Sequence, residues 1–137
     1  MRKGIAVFLC LIVIFSLTAG CGEKAPEYEL GKEFLLPIGE EASIKGEDLK
    51  IEFTEVLEDS RCPKNVECVW AGQARYVIFI SKGESSERLE ITEPGAEGQV
   101  TYNLQDYEIH TKLEPYPEAP DSIAPGDYKL RMSVKGI

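Results

Sequence analysis

Apolar and polar residues alternate with a period of two over most of the chain beyond residue 34, in short runs broken by turn residues. Leu49, Ile51, Phe53 and Leu57 share one parity, and Lys50, Glu52, Thr54 and Glu58 share the other. This is the pattern of a half-buried strand. Glu55 interrupts the apolar parity, which predicts a bulge or an edge there. Phe34 to Ile38 is a short apolar run closed by Gly39, and Ala42 to Lys45 is another closed by Gly46. From Gln73 to Ser81 both parities are apolar, which predicts a central strand covered on both sides. Lys82-Gly83-Glu84-Ser85-Ser86 reads as a turn, and Leu89 and Ile91 mark a short strand closed by Pro94-Gly95. Val100, Tyr102 and Leu104 hold one parity while Tyr107, Ile109 and Leu113 hold the other, so a turn or bulge is expected near Gln105-Asp106. The cleanest alternation is Tyr128, Leu130, Met132 and Val134 against Lys129, Arg131, Ser133 and Lys135.

No window of a dozen residues sustains a helical period. About six to eight short strands with turns between them predict an all-β domain, an antiparallel sandwich or barrel. Ala124-Pro125-Gly126-Asp127 has Pro and Gly where a type II turn needs them, and Tyr128 follows to open a strand. This resembles the tyrosine corner of immunoglobulin-like sandwiches, where a tyrosine hydroxyl bonds to nearby backbone. The expected fold is therefore a single antiparallel β-sandwich of immunoglobulin-like type.

The N-terminus follows another logic. Arg2-Lys3 precede an apolar stretch from Ile5 to Leu17, and small residues follow in Leu17-Thr18-Ala19-Gly20-Cys21. A basic start, a short apolar core and small residues before a cleavage point make a secretory signal peptide. The apolar stretch is well short of the roughly 20 residues that span a bilayer as a helix. An uncleaved anchor is the competing reading, and Gly20-Cys21 followed by Glu23-Lys24 favours cleavage. The run ending in Cys21 resembles the lipobox of prokaryotic lipoproteins. That resemblance implies cleavage before Cys21, a diacylglyceryl thioether on its sulfur, and attachment to a membrane facing outside the cytoplasm. One acyl chain binds a membrane only marginally, and two meet the need. The expected organisation is a signal peptide over 1–20, a lipidated tether over 21–33 and a β-sandwich over 34–137.

The 137-residue chain carries 15 basic and 24 acidic residues, a net charge of −9. Losing Arg2 and Lys3 with the signal leaves 13 basic against 24 acidic residues. Basic patches that would follow a phosphate backbone are missing, so no nucleic-acid partner is expected. The same charge argues against a domain lying flat on an anionic membrane. Of the four cysteines, Cys10 leaves with the signal and Cys21 takes lipid. Cys62 and Cys68 remain, an even pair in an exported chain, and a disulfide between them is expected.

The most distinctive stretch runs from Asp59-Ser60-Arg61-Cys62-Pro63 through Lys64-Asn65-Val66-Glu67 to Cys68-Val69-Trp70-Ala71-Gly72. With Leu113-Glu114-Pro115-Tyr116-Pro117, it resembles a segment of small uncharacterised bacterial lipoproteins and secreted domains. The resemblance covers about Leu35 to Val134 and implies a fold and an address, with no activity attached. A redox centre would show Cys-x-x-Cys near a helix start, and the Cys62–Cys68 spacing is wider. A zinc site needs three or four ligands, and only Cys62, Cys68 and His110 are soft donors. The leading reading is a structural staple with Trp70 packed against it. The second is a rigid recognition loop, in which Arg61, Lys64, Asn65 and Trp70 meet a partner with little entropy left to lose.

Other candidates are weaker. His110 is the only histidine and is expected at a surface or edge. Ser60 and Ser122 lie in no nucleophile elbow, so a Ser-His-Asp arrangement is discounted. Glu40-Glu41 and Glu58-Asp59 read as solvated acidic turns, although Glu58, Asp59 and Asp121 remain candidate ligands for a divalent ion across loops. Glu114 to Pro120 reads as a stiff crossover between sandwich edges, with a cis bond open before Pro115 or Pro117. No cofactor is expected. The functional expectation is a lipid-anchored, non-enzymatic cell-envelope module with a binding or structural role. The alternative is an inhibitor-like module that presents the 62–68 loop to an extracellular partner. An envelope hydrolase or metal enzyme comes last, because no catalytic groups converge.

Overall fold

The computed structural model describes Gly22, residues 24–95 and residues 98–137. The signal peptide over 1–20, Cys10 and Cys21 lie outside the described residues. Nine strands form two sheets: β1 (Glu27–Tyr28), β2 (Glu33–Pro37), β3 (Glu41–Ile44), β4 (Leu49–Asp59), β5 (Gln73–Lys82), β6 (Ser85–Pro94), β7 (Val100–Leu104), β8 (Tyr107–Glu114) and β9 (Lys129–Gly136). One sheet runs β1-β3-β4-β5-β6 and the other β2-β9-β8-β7. All pairings are antiparallel except the short parallel edge pair of β1 with β3. The protein is an all-β sandwich.

The core is made by the inward parities that the alternation marks. Ile51 and Phe53 from β4 and Tyr76, Ile78 and Ile80 from β5 face Leu36, Ile109, Leu130 and Met132 of the other sheet, all buried. Phe53 and Tyr76 meet edge to face at 6.1 Å. Two hairpins close where turn residues predict them: Gly83, at φ 60°, between β5 and β6, and Gln105, at φ 44°, between β7 and β8. Among the described residues, no helix is long and apolar enough to cross a membrane.

β4 departs from simple alternation. Register shifts fall between Phe53 and Glu55 and again between Val56 and Glu58. Thr54 and Leu57 are the extra residues, each opposing no residue of β5. The first bulge, where Glu55 interrupts the apolar face, turns Val56 inward in place of Leu57, which the parity had placed on that face and which is exposed. The second bulge turns Asp59 inward, opposite buried Ala74.

Other expectations need correction. The domain begins before residue 34: Glu27 and Tyr28 pair with β3, Tyr28 stacks on Phe34 at 4.0 Å, and Gly31 N–H donates to Val134 O at 2.7 Å. Glu27 and Tyr28 of the expected tether are thus edge strand. β5 is central, but no second layer covers its outer face. Val77 sits there between Glu55 and Glu90, under ion pairs joining Arg75 to Glu58 and Glu90 and Arg88 to Glu55. Long charged side chains cover apolar surface with their stems. Residues 115–128 link β8 to β9, which are neighbours in one sheet, so the segment arches over one end and makes no crossover. Its Glu114–Pro115 bond is cis.

The expected type II turn is a 3-10 turn over Pro125–Asp127, where Asp127 N–H donates to Ala124 O at 2.9 Å and Gly126 keeps a negative φ. Tyr128 does precede a strand, but its hydroxyl donates to Asp59 Oδ2 at 3.0 Å and not to nearby backbone. The contact that would mark an immunoglobulin-like corner is therefore not made.

Candidate functional site

The end of the sandwich where β4 gives way to β5 holds the chain's densest polar chemistry. Ser60 N–H donates to Gln73 O at 2.8 Å and Cys62 N–H to Ala71 O at 2.9 Å, so the legs of the loop continue the β4–β5 ladder. Gly95 N–H donates to Gly72 O at 2.9 Å and adds a third backbone strip. The strips are so close that only glycine fits. A Cβ on Gly72, whose φ is 69°, would lie 1.8 Å from Ser60 O, and one on Gly95 would lie 1.9 Å from Ala71 O. Cys62 and Cys68 form the expected disulfide, with Cα atoms 6.0 Å apart. Lys64 N–H donates to Pro117 O at 3.1 Å and ties the loop to the 115–128 arch. Tyr116 binds from beneath, its hydroxyl 2.8 Å from Cys62 O and 2.5 Å from Gly95 O.

Arg61 was expected among the exposed contact residues, and the structure corrects this: it is 3% exposed. Its guanidinium grips Asp59 with two bonds of 2.7 Å. It also donates to Leu113 O at 2.9 Å and Pro115 O at 3.1 Å, and lies 5.1 Å from the Tyr116 ring centre. Glu93 Oε1 stands 3.7 Å from it. Five donors in a planar fork let one arginine bind a carboxylate and two carbonyls at once. The second bulge of β4 is what aims Asp59 at this fork.

Glu93 is 2% exposed. Its Oε2 accepts from Leu113 N–H at 2.7 Å and Tyr76 O–H at 3.3 Å, and the Tyr76 hydroxyl shares a 2.8 Å bond with Thr111. Burial pushes the Glu93 carboxyl above the usual range, opposed by the Leu113 N–H and by Arg61. Burial works against the charge on Arg61, but its bonds to Asp59 and the pull of Asp59 and Glu93 outweigh it and raise its pKa. Tyr128 is pushed up to about 12, by burial and then by Asp59. Among the described residues, no buried side-chain nitrogen or oxygen lacks a partner. The cluster is a buttress beneath the loop whose buried polar groups are all hydrogen-bonded.

Above the buttress the loop is open. Lys64 and Asn65 are exposed, as expected of contact residues. Trp70 was expected to pack against the staple; it is 82% exposed, and Val69 beside it is 91% exposed. Tyr116 and Arg61, stacked at 5.1 Å, occupy the underside of the loop instead. Val66 adds a third exposed apolar side chain. Between the loop base and the arch lies a cleft of about 320 Å3, lined by Ser60, Pro63, Pro117, Asp121, Ile123 and Tyr128 among others.

Of the remaining candidates, Asp59, Ser60, Asp121 and Ser122 line this cleft, while Glu58 and His110 are held elsewhere. Glu58 and Asp59 leave β4 on opposite faces, Glu58 toward Arg75 and Asp59 toward Arg61. No group of three His, Cys, Asp or Glu side chains placed to hold a metal occurs among the described residues. Ser60 and Ser122 flank the cleft, while His110 lies on β8, with Thr101 at 3.0 Å from Nδ1 and Glu108 at 2.6 Å from Nε2. The triad arithmetic thus has no shared location.

Sequence reasoning missed Glu93, Tyr76, Thr111 and Tyr116. One signal was available: Glu93 holds the same parity as Leu89 and Ile91, a carboxylate on the inward face of a strand. Comparison with protein-family models, curated proteins and solved structures finds no match to this chain.

Proposed function

We propose that this chain is a non-enzymatic, lipid-anchored module of the cell envelope that recognises its partner through the disulfide-pinned 62–71 loop. The observation that carries the reading is Trp70, 82% exposed on a loop held by a disulfide, a backbone ladder and a buried arginine. An apolar tip on a rigid frame loses little entropy on binding, and tryptophan is the side chain that most often dominates an interface. The lipobox-like run at Cys21 supports the anchor, and the disulfide fits an oxidising compartment. The inhibitor-like alternative draws on the same loop, whose exposed Lys64 and Asn65 would enter a partner's cleft.

Two measurements test the proposal. Cys21→Ser should abolish lipid labelling and release the domain from membranes, and labelling that persists refutes the anchor. A photoreactive side chain at position 70 should give adducts in the native envelope that the same group at Glu87 does not. Equal yields at both positions refute recognition through the loop. A single protein adduct shared by positions 64 and 70 would favour the inhibitor-like form.

A further inference from the structure

The direction in which the chain enters the sandwich bears on what the loop meets. β1 runs parallel to β3, and β3 runs antiparallel to β4. The chain that precedes Glu27 therefore points toward the end of the sandwich where β4 ends and the 60–72 loop begins. A chain that keeps this direction back from Glu27 heads for the end that carries the Trp70 tip.

The lengths sharpen this. Glu27 stands level with Ser81, through Ser43 and Lys50. From Ser81 to Ala74 the strand rises roughly 23 Å at about 3.3 Å per residue. Fully extended, the chain from Glu27 back to Cys21 reaches roughly 20 Å. The reach back to Cys21 thus ends about 3 Å short of the level of the loop base, while Val69 and Trp70 lie in the loop beyond that base. A domain standing on its anchor with this end down sets its apolar tip at the lipid surface.

We infer that Val69 and Trp70 dock into the interface of the same membrane that holds the Cys21 lipid, so that the domain stands end-on, anchored at two points. This rests on the anchored-module reading and names its partner as a lipid surface. Tryptophan suits the headgroup level, where an amphipathic ring meets both apolar and wet surroundings. The loop itself carries Lys64 against Glu67, so it brings little net charge to the lipid. The 115–128 arch shares this end and carries exposed Glu118, Asp121 and Asp127, so contact is confined to the loop tip, whereas a domain lying flat would press the rest of the acidic surface against the headgroups as well. The tether makes the second contact intramolecular, at an effective concentration on the order of millimolar, so two weak apolar side chains suffice.

Trp70 is the only tryptophan in the chain, so its fluorescence reports the tip alone. The lipidated full-length protein is reconstituted in phosphatidylcholine vesicles with and without brominated acyl chains. Co-flotation with the vesicles, at least twofold quenching by bromine, and shielding from aqueous acrylamide are expected. Val69→Asp, at a position too exposed to affect folding, should keep flotation, cut the bromine quenching at least twofold and restore acrylamide access. Flotation without bromine quenching overturns the docking and leaves the anchor standing. Shielding from acrylamide without bromine quenching means that a protein surface covers Trp70, and overturns it too. Quenching unchanged by Val69→Asp also overturns it. Failure to float overturns both the anchor and the docking.

Discussion

Arg61→Leu is the sharpest test of how this end of the molecule is built. The substitution removes the fork that holds Asp59 with two 2.7 Å bonds and serves the carbonyls of Leu113 and Pro115. It leaves two carboxylates, Asp59 and Glu93, buried without their shared cation. Removing one partner from a buried ion pair costs about 3–5 kcal/mol, because the remaining charge stays desolvated. A domain of this size has about 5–15 kcal/mol in all, so the variant should be close to unfolding. With a urea slope of about 2 kcal/mol per molar, the midpoint should fall by about 1.5–2.5 M. Lys64→Ala, one loop turn away but exposed, should stay within about 0.5 kcal/mol. Circular dichroism is the suitable probe, since Trp70 is exposed in the folded state and its emission need change little on unfolding. If Arg61→Leu costs less than about 1 kcal/mol, the arginine is a surface residue in effect and the buttress argument is wrong.

Three further outcomes follow from the same geometry. The pKa of Glu93 is raised on folding, so its carboxyl contributes stability that is fully present below the ordinary carboxylate pKa and lost as pH rises through the raised value. Urea midpoints of the wild type should therefore gain on those of Glu93→Gln as pH falls from 7 to 4.5, and a relative loss would contradict the burial argument. Gly72→Ala places a Cβ 1.8 Å from Ser60 O at a positive φ. It should cost at least about 2 kcal/mol by thermal or chemical denaturation; a neutral result would mean that the strips are not so close. Replacing both Cys62 and Cys68 by Ser should cost roughly 2 kcal/mol, since the loop they close is short. The intact protein should also weigh two hydrogens more after reduction, and an unchanged mass would deny the bond.

Much of the strand framework was legible in the sequence. The parity of Tyr128, Leu130, Met132 and Val134, the double apolar parity of β5 and the break at Glu55 are local patterns, and burial enforces them because a slip by one residue exposes a whole face. The disulfide was legible for a similar reason: an even pair close in sequence needs no fold to be brought together. The roles of Arg61 and Trp70 were not. By sequence alone, a charged residue in a polar loop reads as exposed and a tryptophan beside a disulfide reads as buried, and both assignments are reversed.

The reversal has a cause that lies in distant parts of the chain. Asp59 holds the parity of Leu49, Ile51 and Phe53, and it faces inward because the second bulge of β4 undoes the change of parity made by the first. Arg61 is buried beside Asp59 because Leu113 O and Pro115 O, far along the chain, accept from its guanidinium beneath the loop and Glu93 adds a second carboxylate. Tyr116 then supports the underside of the loop through Cys62 O and Gly95 O, and Trp70 stays exposed. The sequence by itself determined an alternating all-β chain, a short disulfide loop and an acidic balance, since these depend on neighbours within a few residues. Tertiary structure alone decided which loop residues are buried and that the chain enters the N-terminal strand from the loop's end of the sandwich. Those follow from register and from contacts between segments that no local pattern encodes.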